Sequence, residues 1–271
     1  MSPLRPTLTD PVALGHRRRR ATDSGLFLHH ALRADVEDRL AEVSREFVDV
    51  AVVTPFAQVW PGFAATVVPE ADVLDLAPAS HDLIVHALCL HWADDPVGQL
   101  VQCRRALRPD GLFIGALFGG QTLHELRSAL ATHEVAVTGG LSPRVLPMGE
   151  IRDLGSLLGR AGFAMPVADS VATKVLYRDS AALLQDLRVM GEGNALADRN
   201  RTIPPKHLFS GLNSVYSDGF AGADAQIPAT FEVITLTGWA PASDQPKPLR
   251  PGSAQSRLAD ALGATEVTPN D

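Results

Sequence analysis

Three histidines recur at intervals of five, His81, His86 and His91, and Trp92 follows the last of them. An imidazole changes charge near neutral pH, so His91 can act as a general base, or it can anchor its turn by a hydrogen bond. Trp92 can stack on a substrate or pack into the core. A spacing of five sends successive side chains to different faces of a helix or a strand, so the three do not read as a metal site, and no metal is expected. Further on, Gly119-Gly120-Gln121-Thr122 stands between an apolar run and a helical pattern. Gly120 and Gln121 can offer backbone amides at a helix start to an anion or carboxylate, or form a plain turn. Arg144, in the loop Ser142-Pro143-Arg144, can grip a carboxylate with its forked guanidinium or pair with an acid such as Glu150.

These residues need a scaffold, and residues 80–120 carry its pattern. Leu83 to Leu90 is an apolar run short enough for a buried strand. Asp94 or Asp95 can cap the next helix, with Pro96 suited to its first turn. Val97, Leu100, Val101, Cys103 and Leu107 follow at helical spacing, and Arg104, Arg105 and Arg108 lie where the helix dipole favours cations. Pro109-Asp110-Gly111 reads as a stop and turn, and Leu112 to Phe118 as a second buried strand. Strand, helix, strand with tight punctuation is a βαβ unit, which makes the sheet parallel and its connection right-handed. His86 and Leu88 then fall at a carboxyl strand end, where open α/β sheets bind ligands.

Composition narrows the function classes. The 271 residues permit one large domain or two small ones, and 45% hydrophobic residues can fill a sizeable core. A net charge of −7 gives no global basic field for nucleic acid. Of the basic residues only Lys174, Lys206 and Lys247 are lysines, a usage that suits a GC-rich bacterial genome. Cys89 and Cys103 sit in apolar contexts, which fits a reducing cytoplasm, and no Cys/His set has zinc spacing. No apolar run is long enough to span a membrane, and none reads as a signal peptide.

The rest of the chain reads as follows. Residues 1–15 are loose. Arg17 to Arg20 is a solvated lead-in to the first helix, the sharper alternatives being an anion or partner patch or part of a transit peptide. Leu26 to Phe47 is a long amphipathic helix with the stripe Leu28, Leu32, Val36, Leu40 and Val43, flanked by His29 and His30 as surface or cap residues. Phe47 to Val53 is the first strand. Beyond Phe118, helices are expected over Gln121–Val137, Met148–Ala161, Ser180–Met190 and Pro204–Ser217, and strands over Val167–Tyr177 and Thr230–Trp239. A Pro-rich tail begins at Pro241, with Leu258 to Leu262 available to dock.

The stretch "HDLIVHALCLHWADDPVGQLVQCRRALRPDGLFIGAL" resembles the second half of a class I S-adenosylmethionine (SAM) methyltransferase. "GGQTLHELRSAL", "GGLSPRVLPMGEIRDLGSLLGRAGF", "DLRVMGEGNAL", "ATFEVITLTGWAP" and the tail "QPKPLRPGSAQSRLADAL" narrow the resemblance. They are similar to the methyltransferase-like assembly factors of respiratory complex I and their alphaproteobacterial relatives. The malonyl-carrier-protein methyltransferases of biotin synthesis are more distant cousins. The resemblance implies a Rossmann-like, mostly parallel sheet with one antiparallel strand and an N-terminal helix over the cofactor cleft. It implies SAM as cofactor and a respiratory-chain subunit as protein partner, with no nucleic acid and no membrane span. Asp72, with Val73, matches the acid that binds the adenine amino group. Val53, Thr54, His86 and Leu88 match the strand ends that line the cofactor, and His91 falls at the candidate catalytic position.

Two departures stand out. The family follows its first strand with a glycine-rich turn that lets the backbone approach the cofactor. Here the aligned residues are Thr54-Pro55-Phe56-Ala57, with no glycine and one amide removed by proline. Only residues 54–71 separate Val53 from Asp72, where two strands and two crossovers normally fit. That leaves space for one short helix, Pro55 to Phe63, and one strand, Ala64 to Pro69. The second strand, whose terminal acid holds the ribose, has no room, and Glu70 is the candidate substitute. The expected fold is a seven-strand methyltransferase sheet trimmed near its second strand. Residues 1–46 form an arm and helix, 47–239 the methyltransferase-like domain and 240–271 the tail. The expected function is a cytoplasmic member of the SAM methyltransferase superfamily with SAM binding weak or lost. The alternatives are a pseudoenzyme scaffold and an active methyltransferase for a small carboxylate.

Overall fold

The computed structural model describes residues 7–204, 206–222 and 226–245. The Leu258–Leu262 stretch lies outside the described residues. Elements up to Pro241 belong to one unit, and all that follows concerns it.

The βαβ pattern folds as its residues dictate. Strand β3 (His81–Ala87) is buried at every position, because it lies between two parallel neighbours with helices over both faces. Helix α3 (Pro96–Ala106) starts at Asp95, whose carboxylate accepts from Gly98 N–H at 2.9 Å. Strand β4 (Leu107–Phe118) runs through Pro109-Asp110-Gly111 instead of starting after it. The expected turn is absorbed as a register shift against β3, with Asp110 at φ 62°.

The other strands complete a six-stranded sheet in the order β2-β1-β3-β4-β6-β5. β1 (Val50–Val53), β2 (Thr66–Val68), β3 and β4 are parallel, whereas β6 (Ile227–Trp239) runs antiparallel between β4 and β5 (Ala164–Tyr177). Alternation of side chains divides the core. Val52, Val85 and Ile114 pack with α2 (Phe27–Glu42), α4 (His124–Thr138), α6 (Ser180–Val189) and α8 (Leu212–Phe220). Ala51, Ile84 and Phe113 pack with α3 and α5 (Ile151–Ala161). The expected helix over Pro204–Ser217 is two pieces, α7 (Lys206–Ser210) and α8.

Two expectations are corrected. Residues 1–15 are not all loose, because Asp10 caps helix α1 (Pro11–Arg18) by accepting from Ala13 N–H at 3.0 Å. Residues 54–65 hold only a 3-10 turn, Ala57–Val59, instead of a helix. The sheet has six strands, as a seven-strand sheet trimmed near its second strand should, and the strand after this connection pairs directly with β1, through Ala51 opposite Thr66 and Val53 opposite Val68. A sheet cannot keep an empty place among its hydrogen-bonded strands. The loss therefore falls at the sheet's edge.

Leu83 is 1% exposed at the centre of β3. Leu83→Ala should cost about 2–5 kcal/mol in urea melts. A change under about 0.5 kcal/mol, the range of surface substitutions, would contradict its central place.

Candidate functional site

The carboxyl ends of β2, β1, β3 and β4 open along one edge of the sheet. Just past β3, Leu88 takes φ 47° and donates its N–H to Ala116 O at 2.9 Å. The chain folds back at once, and Leu90–Trp92 form a 3-10 turn across the strand ends. A buried leucine in the left-handed region costs about 1–3 kcal/mol, and such positions gather at functional sites.

That turn aims two side chains at Glu192. Trp92 Nε1–H donates to Glu192 Oε2 at 2.8 Å, and His91 Nε2 lies 3.5 Å from the same oxygen. His91 Nδ1 accepts from Phe118 N–H at 3.5 Å. On the other carboxylate oxygen sits Arg18, whose Nη1 donates to Glu192 Oε1. Arg18 also donates to Glu70, Nε to Oε1 at 3.0 Å and Nη2 to Oε2 at 3.4 Å. Arg18 and Glu192 are buried, and Glu70 is half-buried. Burial alone would favour the neutral forms, but their mutual attraction overrides it. Glu192 and Glu70 hold the Arg18 guanidinium above its ordinary range. Arg18, with help from His91 and Trp92, holds Glu192 well below the ordinary carboxylate range. Gly191 makes the approach possible: it sits at φ 78°, and a Cβ there would lie 3.2 Å from Phe56 Cζ and 3.4 Å from Arg18 Cα.

The turn after β1 closes on itself. Thr54 N–H donates to Val68 O at 2.9 Å, and Phe56 N–H donates to Thr54 Oγ1 at 3.1 Å. Phe56 is buried beneath the Arg18 guanidinium, 5.4 Å from ring centroid to Cζ, and meets the His29 ring edge-on at 4.8 Å. His29 is thus a core residue, correcting its reading as surface or cap. Burial, then the Arg18 charge, push its pKa down to about 3. His86 is also fully buried. Its Nε2–H points to Gln99 Oε1 at 2.9 Å, its Nδ1 faces the Cys89 thiol at 3.6 Å, and Gln99 Nε2–H donates to Ala71 O at 3.0 Å. This chain of donors fits a neutral imidazole, and burial pushes its pKa down to about 4.

The sequence candidates separate into two cavities. Asp72 is exposed and lines a cleft of about 380 Å³ with Glu70, Cys89, Trp92, Asp94 and Gln99. Arg144 lines a second cavity of about 280 Å³, with Trp92 as a shared wall. Arg144 pairs with Glu134 at 2.5 and 3.0 Å, not with Glu150. Val53 and Thr54 are buried at the end of β1, Leu88 is buried in its turn, and Val73 is 80% exposed, lining neither cavity. Gly120 N–H donates to Gly149 O at 3.0 Å and Gln121 N–H to Glu232 Oε2 at 2.9 Å, so both amides already serve the chain's own acceptors. Sequence reasoning passed over Glu192 and read Arg18 as part of a solvated run and His29 as a surface or cap residue. The available signal for Glu192 is an acid set between two glycines, Gly191-Glu192-Gly193. Among the described residues no group of three or more His, Cys, Asp or Glu could hold a metal, and no helix is long and apolar enough to cross a membrane.

The buried histidines set a pH dependence. Both folded pKa values, about 3 for His29 and about 4 for His86, lie below that of an unfolded histidine. Their stabilising contribution is complete above pH about 6.5 and is lost as pH falls towards the folded values. The unfolded chain binds the extra protons there, so stability should drop by about 1.4 kcal/mol per pH unit per histidine. Urea melts at pH 7, 6 and 5 should show this slope, and His86→Leu should lower it by one proton. A constant midpoint over that range would overturn the neutral assignment.

Residues 35–115 match a family described as a methyltransferase domain. The chain is 36% identical over 197 residues to the zebrafish (Danio rerio) "Arginine-hydroxylase NDUFAF5, mitochondrial", covering 73% of this chain and 61% of that protein. It is 36% identical over 189 residues to the Homo sapiens protein of that name, covering 70% of this chain and 54% of that one. A malonyl-[acyl-carrier protein] O-methyltransferase from Xylella fastidiosa is 35% identical over 185 residues, covering 68% of this chain and 60% of the enzyme. The chain thus spans less than two thirds of the length of these relatives. By these similarities, the chain carries a methyltransferase domain and is a homologue of the proteins named arginine-hydroxylase NDUFAF5.

Proposed function

We propose that this chain is a methyltransferase-superfamily protein in which SAM binding is weak or lost, and that it works on a protein partner. The carrying observation is Arg18, buried between Glu70 and Glu192 at the carboxyl strand ends. The residues around the cleft fit half of the cofactor. Asp72 and Glu70 line a cleft that suits an adenosine group, and Glu70 follows a strand that pairs beside β1. The turn after β1 does not fit the methionine half. The Thr54 and Phe56 amides are spent within the chain, Pro55 has none, and the Phe56 ring fills the place a glycine would leave open. Losing two hydrogen bonds to a charged group removes about 3–6 kcal/mol. That is about two to four decades of affinity.

Similarity to the NDUFAF5 proteins supports a protein partner, and the resemblance to complex I assembly factors supports a respiratory-chain subunit in that role. The two free, buried cysteines, Cys89 and Cys103, support a cytoplasmic place of action. In this reading His91 is a positioning residue held by Glu192 and the Phe118 amide, not a base. A second reading, retained SAM binding with methyl transfer, is favoured by the Asp72 cleft alone.

Calorimetry with SAM and S-adenosylhomocysteine separates the two. The proposal expects no binding tighter than about 1 mM. A dissociation constant below about 50 μM that Asp72→Ala abolishes would establish the second reading instead.

A further inference from the structure

The cavity of about 280 Å³ beyond Trp92 has apolar residues and three arginines in its lining. Phe118, Leu126, Leu130, Leu184 and Phe231 line its body. Arg17, Arg144 and Arg188 line it as well, and the acid among its lining residues is Glu192. Charge matching separates these groups. Arg144 is neutralised by Glu134, and Glu192 by Arg18. Among the described residues, Arg17 and Arg188 have no carboxylate at ion-pair distance. Arg188 is exposed and donates only to the neutral Gln185, at 3.0 Å. Arg17 Nε is buried and has no hydrogen-bond partner.

Arg17 is also held in place. A Cβ on Gly193 would come within 3.0 Å of Arg17 Cδ and 3.3 Å of Nε, so the stem lies close against that glycine. A buried donor without an acceptor is costly, and cations crowded together repel one another. Burial, and then Arg20, Arg199 and Arg188, push the Arg17 pKa below the ordinary guanidinium value. An anion beside Arg17 and Arg188 would relieve both costs at once.

We infer that this cavity binds a small amphiphilic anion, with its charged head on Arg17 and Arg188 and its aliphatic stem against Leu126, Leu130 and Phe231. A guanidinium substrate, the group named for the arginine-hydroxylase relatives, has the wrong charge here. The inference goes beyond the proposed function and does not depend on it, since the titration below contains no SAM.

The test is calorimetry of the full chain with decanoate, decylguanidinium and decanol, each below its aggregation limit. Decanoate should bind, weaken with added salt, and bind at least about tenfold tighter than the other two. Arg17→Gln and Arg188→Gln should each weaken it by about tenfold or more, the scale of one hydrogen bond to a charged group. Arg188 is exposed, so its variant reports on binding even if the Arg17 variant fails to fold. Equal binding of decylguanidinium, no decanoate binding, or no effect of Arg188→Gln would overturn the inference. Vesicles of phosphatidylglycerol separate a free amphiphile from a lipid surface. Sedimentation with them that decanoate does not compete would assign these arginines to a membrane and overturn the cavity site.

Discussion

Arg18 shares its guanidinium between Glu70 and Glu192, and this pairing closes sequence separations of 52 and 174 residues. It joins helix α1, the segment after β2 and the segment after α6. Placing ions out of water costs several kcal/mol each, and their attraction repays it only with good geometry and further hydrogen bonds. Here Trp92 and His91 supply those bonds to Glu192, and the Phe56 ring lies under Arg18. The arrangement is therefore committed: removing one member strands a buried charge, at a cost of about 3–5 kcal/mol. The strand-end turns, α1 and the Gly191 segment keep their positions together or not at all.

The shortened edge of the sheet leans on the same triad. β2 has three residues and one neighbour, β1. Three residues of ladder are weak on their own, so the segment after β2 needs another tether. Glu70 provides it, two residues past Val68, by reaching Arg18. The acid that the resemblance offers as a substitute at the ribose position, Glu70, is thus tied to Arg18. The strand that follows the short connection moves in beside β1, and its terminal acid comes with it. The acid's charge is then used inside the protein.

The βαβ core was legible because it rests on local rules. Apolar runs, the Asp95 cap and Pro96 act within a few residues, and the structure places β3 and α3 accordingly. The site was legible only in part. Arg18 lies in a run of four arginines, and such a run reads as a solvated face. Helical spacing turns Arg18 inward and leaves Arg19 and Arg20 exposed, but that face is defined by Glu70 and Glu192, far away in sequence. His29 fails to read as core for the same reason, since the Phe56 ring that covers it comes from another strand's turn. Arg144 read either as a grip for a ligand carboxylate or as a partner of Glu150, and the acid it meets is Glu134, ten residues away across a loop.

Trp92 decides how the two cavities relate. It lines both, and its indole N–H is fixed on Glu192. On one side stand the carboxylates Asp72 and Asp94, with Glu70 neutralised by Arg18, and on the other the arginines Arg17 and Arg188. Opposite charge on the two sides sorts ligands by sign before any contact is made. Group transfer needs reacting atoms to approach to about 3–3.5 Å. A buried, hydrogen-bonded indole stands between the two cavities, and moving it would strip Glu192 of a donor while Arg18 stays in place. The geometry thus keeps the two cavities apart by one buried side chain whose position is tied to the Arg18–Glu192 pair.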